Sequence, residues 1–428
     1  MLQGICNSYA EDAERKSKCF QDETSSPSFS LFETSSSSFS LSVPEILVVG
    51  FYGYDALFGP TPDLICHTIT NFNKKFVAYL FAHGAPDNDN PSAKHIHQYF
   101  KEQGRLILFS AKTTIEEKLK RFREAKLHVL VSLTGWTNGC IAEILACRPA
   151  WLNFHWLGWA APMYAPFIDY MVVGDALTEE QRKLPQGECY AQIGCYQPCQ
   201  AHPYLMEQNL PKCSREDFNF PPNFLYCYPG NSDRLNENSV LIFWQILIRT
   251  PGSCFVFIET HSLKRINILK WIQKVDKFFD FSRLIFRRYV KKQYFYAMLK
   301  LVNTCVDDST PRSLHTGTGD ALSNGKLIVT VDNREFGMQG GVGAEIVRAT
   351  GLGEFLVAVD EDDLIVKAVD LFTHREKREH LERVLQEQIT AGIGYFKQDR
   401  VTRLLEYCFH TAVSSLCPQK ATDQSFRT

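Results

Sequence analysis

The chain has 428 residues, 45% of them hydrophobic, and a formal net charge of -2. That is enough apolar material for sizeable cores, and the length suits two or three domains. The near-neutral balance and the absence of long Lys/Arg runs exclude a partner held mainly by charge, whether nucleic acid or an anionic membrane.

No stretch reaches the roughly eighteen consecutive apolar residues that span a bilayer, and the start lacks a basic segment followed by an apolar one. The 14 cysteines are scattered. Many, including Cys66, Cys227, Cys254, Cys305 and Cys408, fall in apolar runs where a reduced thiol behaves as a small core residue. The expectation is a soluble cytoplasmic or nuclear protein.

In chain order, residues 1–43 form a Ser-rich tail whose isolated Phe and Leu residues cannot offset the entropy of ordering. From Pro44, short β-like runs alternate with longer amphipathic segments, the pattern of a parallel sheet with crossover helices. Strands are predicted at Ile46 to Phe51, Phe76 to Phe81, Arg105 to Ser110, His128 to Leu133 and Trp151 to Trp156. The segment from Thr113 sets Ile115, Leu119, Phe122 and Ala125 on one helical stripe, with Thr113 or Thr114 as its cap.

The Pro-, Gly- and Cys-rich stretch Leu184 to Pro222 has no periodicity and reads as the interlobe connection. Cys189, Cys195, Cys199, His202 and Cys213 are chemically suited to zinc, yet their spacing is irregular and contains no Cys-x-x-Cys pair, so no metal is expected. A second strand-helix series opens at Phe224 to Pro229. It continues through Cys254 to Glu259, Arg283 to Phe286, Thr304 to Asp308 and Lys326 to Val331. The charged helix around HREKREHLERVLQEQ reads as a solvated face. The predicted architecture is therefore α/β, with two facing doubly wound Rossmann-like lobes at 44–215 and 216–396 and a C-terminal helix and tail at 397–428.

Two such lobes form a crevice at the carboxyl ends of their strands. There, after TCVDD, stands HTGTGD: His315, Thr316, Gly317, Thr318, Gly319, Asp320. A helix mouth offers free N–H groups and a positive dipole end, and glycines let the backbone approach a diphosphate. Thr316 and Thr318 add hydroxyls, and Asp320 could accept from a ribose hydroxyl. The same residues also fit an ordinary capped helix entry.

The run from His128 to Thr178 carries LTGWT, RPA, WLG and DYMVVGD in order, followed by FLYCYPGN, the helix around Trp244, CVDDS, HTGTGD and GLGEFLVA. In this the chain resembles the family 41 glycosyltransferases, which include protein O-GlcNAc transferase and the plant SPINDLY protein O-fucosyltransferase. The resemblance spans roughly Pro44 to Val413. It implies a GT-B-like enzyme without a metal, with the nucleotide-sugar co-substrate held mainly by the second lobe.

By the same resemblance, His315, Thr316, Gly317, Thr318 and Asp320 hold the diphosphate and ribose. Lys292 lies beside the base, Phe295 stacks on it, and Asn231 and Arg234 stand near the diphosphate. A cation there offsets charge on the leaving nucleotide. His128 matches a cleft-lining histidine.

Departures accompany the match. Gly59, Pro60 and Thr61 replace the family's His-Pro-Thr, so the imidazole is missing, with Asp63 or His67 as substitutes for the base. Met163 and Tyr164 are bulkier than their counterparts in the turn beside the sugar.

The implied activity is inverting transfer of GlcNAc from UDP-GlcNAc to Ser/Thr of intracellular proteins, aided by a separate acceptor-recruiting partner. Transfer of fucose from GDP-fucose, or a catalytically degenerate nucleotide or peptide binder, are the alternatives.

Overall fold

The computed structural model describes residues 43–182, 188–200, 210–259, 262–288, 290–308 and 310–417. The Ser-rich tail and His202 lie outside the described residues.

The first lobe is a seven-stranded parallel sheet. Its strands are β1 (Leu47–Gly53), β2 (Phe76–His83), β3 (Leu106–Phe109), β4 (Val129–Ser132), β5 (Leu152–His155), β6 (Tyr170–Val173) and β7 (Cys189–Gln192). Its helices are α1 (Thr61–Thr70), α2 (Pro91–Glu102), α3 (Ile115–Glu124), α4 (Ala142–Ala146) and α5 (Glu179–Arg182). The order β3-β2-β1-β4-β5-β6-β7 reverses between β1 and β4, the switch point of a doubly wound sheet. Thr114 caps α3 through a reciprocal box with Glu117, which starts that helix as its sequence predicts.

The second lobe repeats the plan with β8 (Leu225–Asn231), β9 (Cys254–Glu259), β10 (Leu284–Arg288), β11 (Thr304–Asp307), β12 (Ile328–Val331) and β13 (Val357–Ala358). The order β10-β9-β8-β11-β12-β13 reverses between β8 and β11. Around it lie α6 (Glu237–Arg249), α7 (Ser262–Val275), α8 (Lys292–Leu301), α9 (Thr316–Ser323), α10 (Met338–Ala349) and α11 (Gly353–Leu356). Then come α12 (Glu361–Thr373), α13 (Arg375–Ala391) and α14 (Asp399–Leu416). Val49, Phe51, Val129 and Val131 in the first sheet, and Cys227, Val256, Cys305 and Val329 in the second, are fully buried. Strands covered on both faces are mostly apolar for this reason.

Several sequence expectations change, and β6 and β13 lie outside the strands predicted. The stretch read as an aperiodic connection contains β7, which pairs with β6 from Tyr170↔Cys189 to Val173↔Gln192. At four residues it is too short for periodicity to reveal. The charged helix α13 is not wholly a solvated face, because Arg378 is buried, donates to Leu371 O (2.7 Å) and lies over the Phe224 ring.

The C-terminal helix crosses back to the first lobe. Phe409 of α14 meets Phe154 edge-on at 5.1 Å and Phe51 at 6.4 Å, and Thr402 Oγ1 donates to Thr68 O. Among the described residues no helix is long and apolar enough to cross a membrane.

Candidate functional site between the lobes

The carboxyl ends of the two sheets face each other, as the contacts made by the turns beyond them demonstrate. After β1 the chain enters α1, and Asp63 in its first turn forms an ion pair with Lys292, the first residue of α8 beyond β10. Beyond β11, α9 meets the crossover segment of the first lobe. Gln197 Nε2 donates to His315 O (3.1 Å) and Gln200 Nε2 to Thr316 O (3.0 Å). The crevice between the two switch points is thus bordered by residues of both lobes.

Several predicted residues meet there. Asn231 ends β8 and accepts from Asp233 N, opening the turn that carries Arg234. An Arg234 guanidinium nitrogen lies 3.4 Å from Ser313 O, just before α9. His315 precedes α9 and donates from Nε2 to Gln339 O (2.9 Å). Burial above all, then Arg234 and Arg312, push its imidazole down to about 4, so it is neutral at ordinary pH. A Cβ at Gly317 would lie 3.1 Å from Pro229 O, a tight approach to backbone.

Asp320 is buried and accepts from Tyr296 Oη (2.7 Å). Burial raises its pKa, against the pull of nearby Lys292. Lys292 also lies over the Tyr296 ring at 5.4 Å. Asp63, Lys292, Tyr296, Asp320 and Gln200 therefore form one buried polar cluster.

Other predicted residues lie elsewhere or point elsewhere. His128 precedes β4 at the amino end of the sheet, where Nδ1 accepts from Val48 N (2.8 Å) and the ring packs edge-on against Trp151 at 4.5 Å. It is a sheet-edge residue on the side away from the crevice, which corrects its reading as cleft-lining. Phe295 belongs to the apolar core, so its expected stacking role is corrected to packing. The Thr318 hydroxyl is fully buried and donates to Leu314 O (2.7 Å), in the turn that leads into α9.

His67 is in the last turn of α1, near Asp399 and Arg403 of the C-terminal helix, which corrects its reading as a substitute base. Met163 is fully buried in the apolar cluster beside Phe109 and Ile141, so it does not narrow a sugar pocket. Gly59 has φ +69° with open space about it, and Thr61 Oγ1 donates to Asp55 (2.6 Å).

Sequence reasoning missed Gln197, Gln200, Tyr296 and Glu345. The two glutamines fall in the stretch read as an aperiodic connection, and no local pattern marks them. It also missed the support beneath the turn that follows β5. Glu188 accepts from Ala165 N (3.4 Å), Trp136 Nε1 donates to Met163 O, and His155 Nε2 donates to Ala161 O. Burial pushes Glu188 up to about 8 and His155 down to about 4. Tyr164 sits at φ +53° in this turn. Among the described residues no group of three His, Cys, Asp or Glu side chains could hold a metal ion. Cys195 and Cys199 are buried free thiols.

Residues 35–191 match the model of a family described as glycosyl transferase family 41. A curated Arabidopsis thaliana protein, described as "Probable UDP-N-acetylglucosamine--peptide N-acetylglucosaminyltransferase SEC", is 22% identical over 352 residues, covering 79% of this chain and 34% of that protein. The Hordeum vulgare protein of the same description, SPINDLY, is 26% identical over 282 residues, covering 62% of this chain and 27% of its own length. The chain thus spans about a third or less of these relatives.

Among solved structures, a point mutant of the Thermobaculum terrenum O-GlcNAc transferase superposes with a TM-score of 0.71 at 16% identity, covering 87% of this chain and 68% of that one. Sucrose-phosphate synthase of Thermosynechococcus elongatus gives 0.54 at 12% identity, covering 86% of this chain and 100% of that one. These likenesses establish a GT-B-like, two-lobed fold.

Proposed function

We propose, from the premise that this chain carries a family 41 glycosyltransferase catalytic region, that it moves GlcNAc from UDP-GlcNAc to Ser or Thr of protein acceptors with inversion. The observation that carries the reading is the position of α9. It opens beyond β11, beside the β8/β11 switch point, where doubly wound sheets bind nucleotides. Its mouth supplies backbone N–H groups and a dipole end suited to a diphosphate. Arg234 and Arg312 both act on His315 there, so their positive field reaches the same spot and would favour the departing nucleotide diphosphate.

In this reading the acceptor hydroxyl attacks the anomeric carbon as the bond to the diphosphate breaks. Its proton passes to Asp63, once freed from Lys292, or to a donor phosphate oxygen. Acceptors reach the site with the help of a separate recruiting partner, and no metal takes part.

The test is to incubate the chain with labelled UDP-GlcNAc or GDP-fucose and a mixture of Ser/Thr peptides, beside Lys292→Ala and Asp320→Ala. We expect GlcNAc transfer, reduced on the order of a hundredfold in each variant. Product that survives both substitutions overturns the assigned site, and transfer from GDP-fucose alone makes the chain a fucosyltransferase.

A second reading, a nucleotide binder without turnover, is favoured by one feature. Lys292 and Asp320 are already engaged by Asp63 and Tyr296. UDP binding without product would select it.

A further inference from the structure

Lys292 and Asp63 come from opposite lobes and meet largely out of water, with side-chain exposures of 20% and 1%. Asp63 Oδ2 takes the Lys292 ammonium and lies 3.4 Å from Asn90 Nδ2, while Oδ1 is buried with no hydrogen-bond partner. The carboxylate therefore depends on one cation from the other lobe. The neighbouring pair, Lys291 with Asp89 at 2.8 Å, is 63% exposed on both sides and holds little.

Lys292 is also the residue through which the proposed donor site would greet a nucleotide. Its ammonium has three N–H donors, one of them held by Asp63 Oδ2, and turning all three to acceptor atoms of a base or ribose gives up that contact. If a nucleotide takes them, Asp63 is left as a buried, unpaired charge, which is strongly disfavoured unless it reaches water. Since Asp63 is on the first lobe and Lys292 on the second, reaching water means that the two edges part.

We propose that Asp63 is a competing carboxylate that locks the donor crevice: it holds Lys292 and the lobe edge closed without nucleotide, and a nucleoside diphosphate must displace it to bind. This rests on the reading of α9 and Lys292 as the donor site. The lock sets how tightly that site binds, because apparent affinity falls in proportion to the fraction of molecules with the crevice open.

The experiment is calorimetric titration of the full chain with UDP, GDP, UDP-GlcNAc and GDP-fucose, in the wild type, Asp63→Asn, Asp63→Ala and the control Asp89→Asn. Hydrogen exchange is followed in parallel over residues 61–66 and 292–299. Asp63→Asn keeps the shape and removes the charge. We expect it to bind the preferred nucleotide about tenfold more tightly and to exchange faster in both segments, with Asp63→Ala behaving alike and Asp89→Asn unchanged. Binding by Asp63→Asn where the wild type shows none also supports the lock.

If the wild type binds and both Asp63 variants, still folded by circular dichroism, bind equally or more weakly, the lock is wrong and the donor site stands. Should no form bind any of the four nucleotides, both the lock and the donor site are overturned.

Discussion

Two of the contacts between the lobes differ in construction. At one, the Asp63 carboxylate meets the Lys292 ammonium, side chain to side chain. At the other, Glu345 of α10 accepts from two main-chain groups of the first lobe, Ala176 N (2.6 Å) and Tyr196 N. Gly174 makes room, since a Cβ there would lie 2.2 Å from the Glu345 carboxylate. A cation on a flexible stem can be surrendered to a ligand, whereas backbone amides cannot rotate away. In the proposal above, the first contact is the one a ligand displaces, and the second holds the lobes together.

The strongest way to break this comparison is at the second contact. Glu345→Ala leaves two N–H groups without their acceptor and should cost about 3 kcal/mol, read by urea unfolding. Gly174→Ala, which forces a methyl onto the carboxylate, should cost about 2 kcal/mol. If both variants unfold like the wild type, the second contact does not hold the lobes together.

A smaller effect sharpens it. Burial foremost, with help from Asp175, pushes Glu345 up to about 7 from 4.5, against the two amides and the Cys195 thiol. The folded state then holds the proton more tightly than the unfolded chain. The contribution from protonation is full below the unfolded value and is lost as pH rises through about 7. Glu188 and Asp308 are displaced the same way, so the informative quantity is the gap in Tm between the wild type and Glu345→Gln. That gap should shrink by a few °C (~3 °C) between about pH 5 and about pH 8. A gap that widens with pH contradicts the assignment.

The smallest effects separate structural from site residues. His128→Ala removes the acceptor of Val48 N at the far edge of the first sheet and should cost about 1 kcal/mol, leaving nucleotide affinity untouched. Thr318→Val deletes the bond to Leu314 O at a similar cost of about 1 kcal/mol. A large loss of nucleotide affinity in Thr318→Val would mean that its hydroxyl turns toward the ligand on binding.

Much of the fold was legible because doubly wound sheets leave strong local traces. The strands around Val49, Leu80, Val256 and Val329 are mostly apolar, and Thr114 with Glu117 marks a helix start. Less of the site was legible. The HTGTGD turn announced itself through glycines and hydroxyls, yet nothing local tells Thr318, bonded to Leu314 O, from Thr316, whose carbonyl faces the other lobe. His128 was misread because a histidine beside a strand looks the same at either end of it. Phe295 was misread because an aromatic ring at a helix start fits both core and ligand.

By itself the sequence determined the two α/β lobes, most of their longer strands and the helix mouth at His315–Asp320, since each follows from periodicity and composition over short windows. Only the tertiary structure decided that Asp63 meets Lys292, that Gln197 and Gln200 cover the first turn of α9, and that Glu345 grips the first lobe. These pairings join residues far apart in the chain. They depend on how two separately folded sheets are docked, a geometry that no local pattern encodes.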